Sequence, residues 1–137
     1  MSQALDDELP TMLRDIRMVE ESAELLSIET ISAAELTLKL GGRQLQPPHV
    51  GWDIVADLLI AQNGVEIAHV RNAQRATLRD DVNAGDDYPQ AAAIFALVWP
   101  YIRSGLGDSI SRLGLPRPPL PVWVDPEQVR PVSAEGA

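Results

Sequence analysis

Residues 95–124, FALVWPYIRSGLGDSISRLGLPRPPLPVWV, decide the fold. They join an amphipathic helix to a proline-rich apolar segment. Phe95, Trp99, Ile102, Leu106, Ile110 and Leu113 fall on one helical stripe, at spacings of 4, 3, 4, 4 and 3. Leu115, Leu120, Val122, Trp123 and Val124 then follow with almost no charge among them. Apolar area concentrated in this way implies an interface, with a second copy or with something else.

The helix interior carries Pro100, Gly105 and Gly107. A free surface helix seldom tolerates all three, and Pro100 should kink it near Ala96 to Trp99. Close packing, within the chain or between subunits, must hold it together. The run Pro116-Arg117-Pro118-Pro119-Leu120-Pro121 reads either as a polyproline ligand or as a rigid connector. The connector is favoured, because the apolar residues after it need cover.

Working upstream, residues 80–89 form a polar loop with four aspartates, and the helix starts near Gln90. Asn63-Gly64 is the preferred pair for a two-residue hairpin turn. It joins a strand over Trp52–Ala61 to a return strand from Val65 that extends to about Arg79, with a bulge around Asn72. Trp52, Ile54, Ala56, Leu58 and Ile60 share one face of the first strand. Leu36, Leu38 and Leu40 alternate with polar residues in a further strand that ends in a turn or bulge at Gly41-Gly42. Residues 23–34 read as a small, mixed connection. Residues 13–22 fit a helix through Leu13, Ile16 and Val19 or a strand through Ile16 and Met18, and periodicity alone leaves both open. Residues 1–12 read as a short helix or arm, 13–130 as one domain and 131–137 as a flexible tail.

Composition narrows the function. The 137 residues carry 20 acids against 11 bases, a net charge of −9, with no basic cluster, which disfavours nucleic acid. There is no cysteine, so thiol chemistry, disulfides and thiolate metal sites are excluded. The acidic start is wrong for a signal peptide, and no apolar run reaches the ~18 residues of a membrane span, so the reading is cytoplasmic. His49 and His69 have no ligand spacing. Asp53 and Asp57, about 13 Å apart on a strand, are too distant to act on one bond and read as a solvated sheet face. The aspartates at 80, 81, 86 and 87 lack the spacing of a calcium loop. Nothing argues for an enzyme, a metal or a cofactor.

Trp99-Pro100-Tyr101 with Arg103, then Ile110-Ser111-Arg112 and Leu113 to Pro116, followed by the apolar stretch into Pro121-Val122, resembles the SecB family of export chaperones. The similarity leans towards the actinobacterial SecB-like chaperones, some of which serve toxin–antitoxin systems. Leu13-Arg14-Asp15-Ile16-Arg17 resembles that group's first strand. The resemblance implies an α+β fold, a twisted four-stranded antiparallel sheet packed on a long C-terminal helix, and tips residues 13–22 towards strand. It also implies a homotetramer, a dimer of dimers stacked through the helices, with Phe95, Trp99, Ile102, Leu106 and Ile110 at the oligomer interface. The implied function is ATP-independent binding of unfolded polypeptide, whether export precursors or a dedicated client such as an antitoxin. Leu115, Leu120, Val122, Trp123 and Val124 match the family's client-binding loop, and Trp52, Ile54 and Leu58 are candidates for the groove floor by periodicity. The family's second helix is reduced to Asp125–Arg130 or lost, and its tail for a SecA-type motor is not recognisable. Glu20, Glu21 and Glu24 would stand near the motor-binding surface. The alternative is an adaptor or structural subunit of the same fold with one folded partner.

Overall fold

The computed structural model describes residues 12–28, 30–46, 48–79, 91–122 and 124, and the backbone of 130–131. The elements are β1 (Leu13–Leu25), β2 (Glu35–Gln44), β3 (Gly51–Gln62), β4 (Val65–Leu78), α1 (Ala91–Arg112) and β5 (Arg130–Pro131). The four long strands pair antiparallel in the order β1-β4-β3-β2, and α1 covers one face. The two residues of β5 run parallel to β2 on its outer edge.

The Asn63-Gly64 turn is as expected, with φ of 53° and 77° at the two positions. β3 and β4 are the central strands, and their inward residues are almost wholly enclosed: Ile54, Ala56, Leu58, Ala68, Val70 and Ala76 are all 0% exposed. The bulge lies elsewhere than expected. Ile60 pairs with Ala68 and Ala61 with Glu66, so the extra residue on β4 is Ile67, not a neighbour of Asn72. A second irregularity lies on β1, where Met18 pairs with Gln74 and Glu20 with Ala73, leaving Val19 as the extra residue.

β1 takes the strand reading and runs three residues beyond 22. β2 does not stop at its glycines. It passes through Gly41 and Gly42, which pair with Val55 and Ile54 on one side and with Arg130 and Pro131 on the other. A residue with no side chain suits a position with backbone close on both flanks.

α1 is continuous through Pro100. The proline sits on the exposed side, as does Ala96 one turn earlier, so the hydrogen bond lost at the ring lies where water can replace it. At Gly105 the helix leaves no room for a side chain, since a Cβ there would lie 2.4 Å from Asn72 Nδ2. The stripe of Phe95, Trp99, Ile102, Leu106 and Ile110 is 0–3% exposed and belongs to the core of its own chain. This corrects the expectation that these five side chains form the oligomer interface. A stripe needs burial, and its own sheet provides it. Phe95 and Trp99 also pack ring on ring, with centroids 5.6 Å apart.

Candidate functional site

An apolar concavity is built at the C-terminal end of α1. The helix ends in a Schellman cap: Leu115 N–H donates to Ile110 C=O (3.3 Å) and Gly114 N–H to Ser111 C=O (3.0 Å), with Gly114 at φ 81°. The cap folds Leu115 back against the helix end, where it packs on the core beside Leu113. Opposite stands the connection between β1 and β2. Leu25, Ile28 and Ile31 on that side and Leu113, Leu115 and Pro116 on the other enclose a groove of about 410 Å³. Among the described residues its remaining lining is Ser27, Thr30 and Gly114, none of them ionisable.

The chain is tied down on both sides of the groove. On the strand side, Leu26 N–H and Ser27 N–H both donate to Ile67 C=O, at 2.7 and 3.2 Å. Gln62, 7% exposed, holds the rest of the connection. Its Oε1 accepts from the amides of Ser32 (2.7 Å) and Ala33 (3.1 Å), and its Nε2 donates to Thr30 C=O at 3.0 Å. On the helix side, Trp99 Nε1 donates to Pro121 C=O (3.1 Å) and Arg103 Nε to Leu120 C=O (3.2 Å). Arg117 reaches back to Asp108 Oδ1 at 2.5 Å and Ser111 Oγ at 2.9 Å. The proline run is therefore a connector laid along α1. Its arginine is engaged with the helix, which leaves the polyproline-ligand reading without its cation.

The expected client contacts divide. Leu115 lines the groove. Leu120 and Val124, each 8% exposed, are core residues that pin the loop, and Val122 is 79% exposed outside the groove lining. Trp123 lies outside the described residues. Ile54 and Leu58 are fully enclosed beneath α1, so neither forms a groove floor. Trp52 is half-buried at the opposite end of the sheet, since it aligns with Ala76 and Ile16 whereas the groove's Leu25 aligns with Ala68 and Ile60. Leu25, Ile28 and Ile31 escaped the sequence reading because residues 23–34 looked like a plain connection. The available signal was LLSIETI at 25–31, four large apolar residues in seven with no alternation to place them in a sheet.

The other face of the sheet is charged. Asp53, 3% exposed, accepts from Arg75 Nε (2.8 Å) and lies 3.4 Å from Arg43, so it is covered by its partners and not solvated. Arg71 bridges Asp57 (2.8 Å) and Glu20 (3.0 Å), and His69 Nε2 lies 3.3 Å from Asp57. The hydrogen bond with Asp53 raises the pKa of Arg75 despite burial. Burial pulls that of Arg71 down, but Glu20 and Asp57 together outweigh it and the net shift is upward. A wider depression of about 630 Å³ on this face is floored by Thr37, Asp57, Leu59 and Arg71. With charged side chains in its floor and rim, it suits apolar ligands less well than the groove does. Among the described residues no three His, Cys, Asp or Glu are arranged to hold a metal, and no helix is long and apolar enough to cross a membrane.

No protein-family model matches the sequence, and no curated protein does. The solved structures do answer. The Mycobacterium tuberculosis SecB-like chaperone Rv1957, in complex with a ChAD peptide from the antitoxin HigA1 (Rv1956), superposes with a TM-score of 0.66. The match covers 89% of this chain and 98% of that one at 19% identity. The fold is SecB-like. The SecB-like sheet and helix thus stand.

Proposed function

We propose that the chain is a SecB-like chaperone that holds extended apolar segments of non-native polypeptide in the groove between Leu25–Ile31 and Leu113–Pro116. The observation that carries this reading is the groove's lining, which among the described residues is mostly apolar and holds no ionisable group, on a protein of net charge −9. Such a surface rewards burial of apolar side chains and makes no demand for a charged partner. Binding and release need no nucleotide or covalent step. The antitoxin peptide on the neighbour of the same fold supports a dedicated client of that kind. The reading also places the protein in the cytoplasm and makes it a homo-oligomer, several grooves on one assembly adding avidity along a long client.

Ile28→Asp tests the groove. Ile28 is 94% exposed, so the change costs the fold little. Burying such a side chain contributes about 1.5–3 kcal/mol, or roughly a ten- to hundredfold change in Kd. Light scattering of a reduced, unfolded client should show nucleotide-independent suppression of aggregation by the wild type and its loss in the variant. Equal protection by the two proteins would remove the groove from the function.

A further inference from the structure

We infer that Met18 is a site of reversible sulfur oxidation, and that the side-chain amide of Asn72 receives the oxygen it gains. The inference stands apart from the groove. Met18 lies on β1 opposite Gln74 and is 50% exposed. Asn72, two residues before Gln74 on β4, is 0% exposed. Its Oδ1 accepts from Gln74 Nε2 at 2.8 Å. Its Nδ2 faces Met18 Sδ at 3.6 Å, the one acceptor it has among the described residues. On another side of the same nitrogen stands Gly105, which offers no side chain; a Cβ there would lie 2.4 Å from it.

The pairing is poorly matched. A thioether has no hydrogen to give, so the amide turns its N–H2 to the sulfur and its oxygen to Gln74. That N–H2 is buried away from water, and a thioether is a weak acceptor, so the donor is left under-satisfied. Oxidation repairs this. A peroxide passes one oxygen to a sulfur lone pair: the S–O bond forms and the O–O bond breaks. The proton on the transferred oxygen moves to the leaving oxygen, which departs as an alcohol or, from hydrogen peroxide, as water. Sulfur loses two electrons and the peroxide gains them. An oxygen carried on this sulfur and turned towards the amide comes within ordinary hydrogen-bond range, about 3 Å, with the backbone unmoved. A closed apolar core would reject the polar product, but here a buried donor faces it and the side chain is half in water. The modified chain thus keeps its fold and carries a more polar β1 edge. Stereospecific methionine sulfoxide reductases, one for each epimer, would restore the thioether.

Graded hydrogen peroxide on the full chain tests this, read by peptide mass mapping, Tm and nitrogen–proton correlation spectra. Met12 is the internal comparison, since it packs part-buried on the core. Met18 should gain one oxygen about fivefold faster than Met12, in line with its exposure. On conversion of Met18 the Tm should hold or rise, and the Asn72 side-chain amide proton should move downfield. Met18→Leu under the same peroxide should show no such movement of the amide proton. Met18→Gln, which sets a permanent oxygen acceptor at this position, should move it without peroxide. Equal rates at Met12 and Met18, a fall in Tm that Met18→Leu does not share, or an Asn72 amide that stays in place would each overturn the inference and leave the groove untouched.

Discussion

Two glycines show how differently one residue type can be constrained. At Gly105 the constraint is space. A methyl group would meet Asn72 Nδ2 at 2.4 Å, and Asn72 is 0% exposed, with Oδ1 already accepting from Gln74 at 2.8 Å. The asparagine cannot retreat without losing that bond. Gly105→Ala should therefore destabilise by about 1–3 kcal/mol in a denaturation midpoint, although alanine is the better helix former. At Gly114 nothing lies within 4 Å of an added Cβ, but φ is 81°. Gly114→Ala should cost only about 1 kcal/mol, through backbone strain, and Gly114→Asn should recover much of it. The ion pairs of the outer face behave differently again. Arg71 and Arg75 have pKa values raised above that of a free arginine. A raised value stabilises the fold below the unfolded pKa and is lost only as pH climbs through the folded one, far into alkali. These two guanidiniums should add no pH dependence to stability between pH 6 and 9.

At the scale of elements, the hairpin and helix were legible because each has one dominant signal: Asn63-Gly64 with alternation on both sides, and the apolar stripe of Phe95, Trp99, Ile102, Leu106 and Ile110 in α1. β1 was ambiguous for a physical reason. Its register slips between Leu13 and Asp15 and again between Met18 and Glu20, where Val19 is the extra residue, so Leu13, Ile16 and Val19 lie 3 apart and imitate a helix. The stripe of α1 was visible, but its destination was not, since periodicity says that a face is buried and not against what. The groove was half legible. Leu115 followed from the apolar stretch after the helix, whereas Leu25, Ile28 and Ile31 belong to a connection whose walls are defined by Gln62, 30 residues away from Ser32. The strands should differ measurably in protection. The central β3 and β4 are paired on both sides, while among the described residues β2 is capped on its outer edge only at Gly41 and Gly42, by a two-residue strand containing Pro131, which has no amide to donate. Hydrogen exchange should be slowest in β3 and β4, and the outward-facing amides of β2 before Gly41 should exchange orders of magnitude faster. Comparable protection in that part of β2 would mean that something else covers the edge.

For the whole molecule, the position of the α1 stripe moves the question of assembly to other surfaces. Phe95, Trp99, Ile102, Leu106 and Ile110 are spent on the chain's own core, so any association must use what remains outside. Among the described residues, two features are suited to it. β1 is a 13-residue strand with one edge unpaired among the described residues, and Met18 and Val19 on it are 50% and 42% exposed. α1 turns Ala96, Pro100, Tyr101 and Ser104 outward, with Tyr101 56% exposed. A long open edge with apolar side chains is a template for a further strand, and a second copy of β1 can answer it antiparallel with the same residues on both sides. Val19 is the informative position. It is the extra residue of the bulge, so it has no β4 partner to lose, and Val19→Lys puts a charge on the edge at little cost to the monomer. Light scattering coupled to gel filtration should give an oligomer for the wild type and a species of about half that mass for Val19→Lys, with far-UV dichroism unchanged. Tyr101→Asp should lower the mass through the helix face if the assembly is a dimer of dimers. A wild type that runs as a monomer at every concentration would end the assembly proposal and leave each groove to act alone, without the avidity that a long client would otherwise supply.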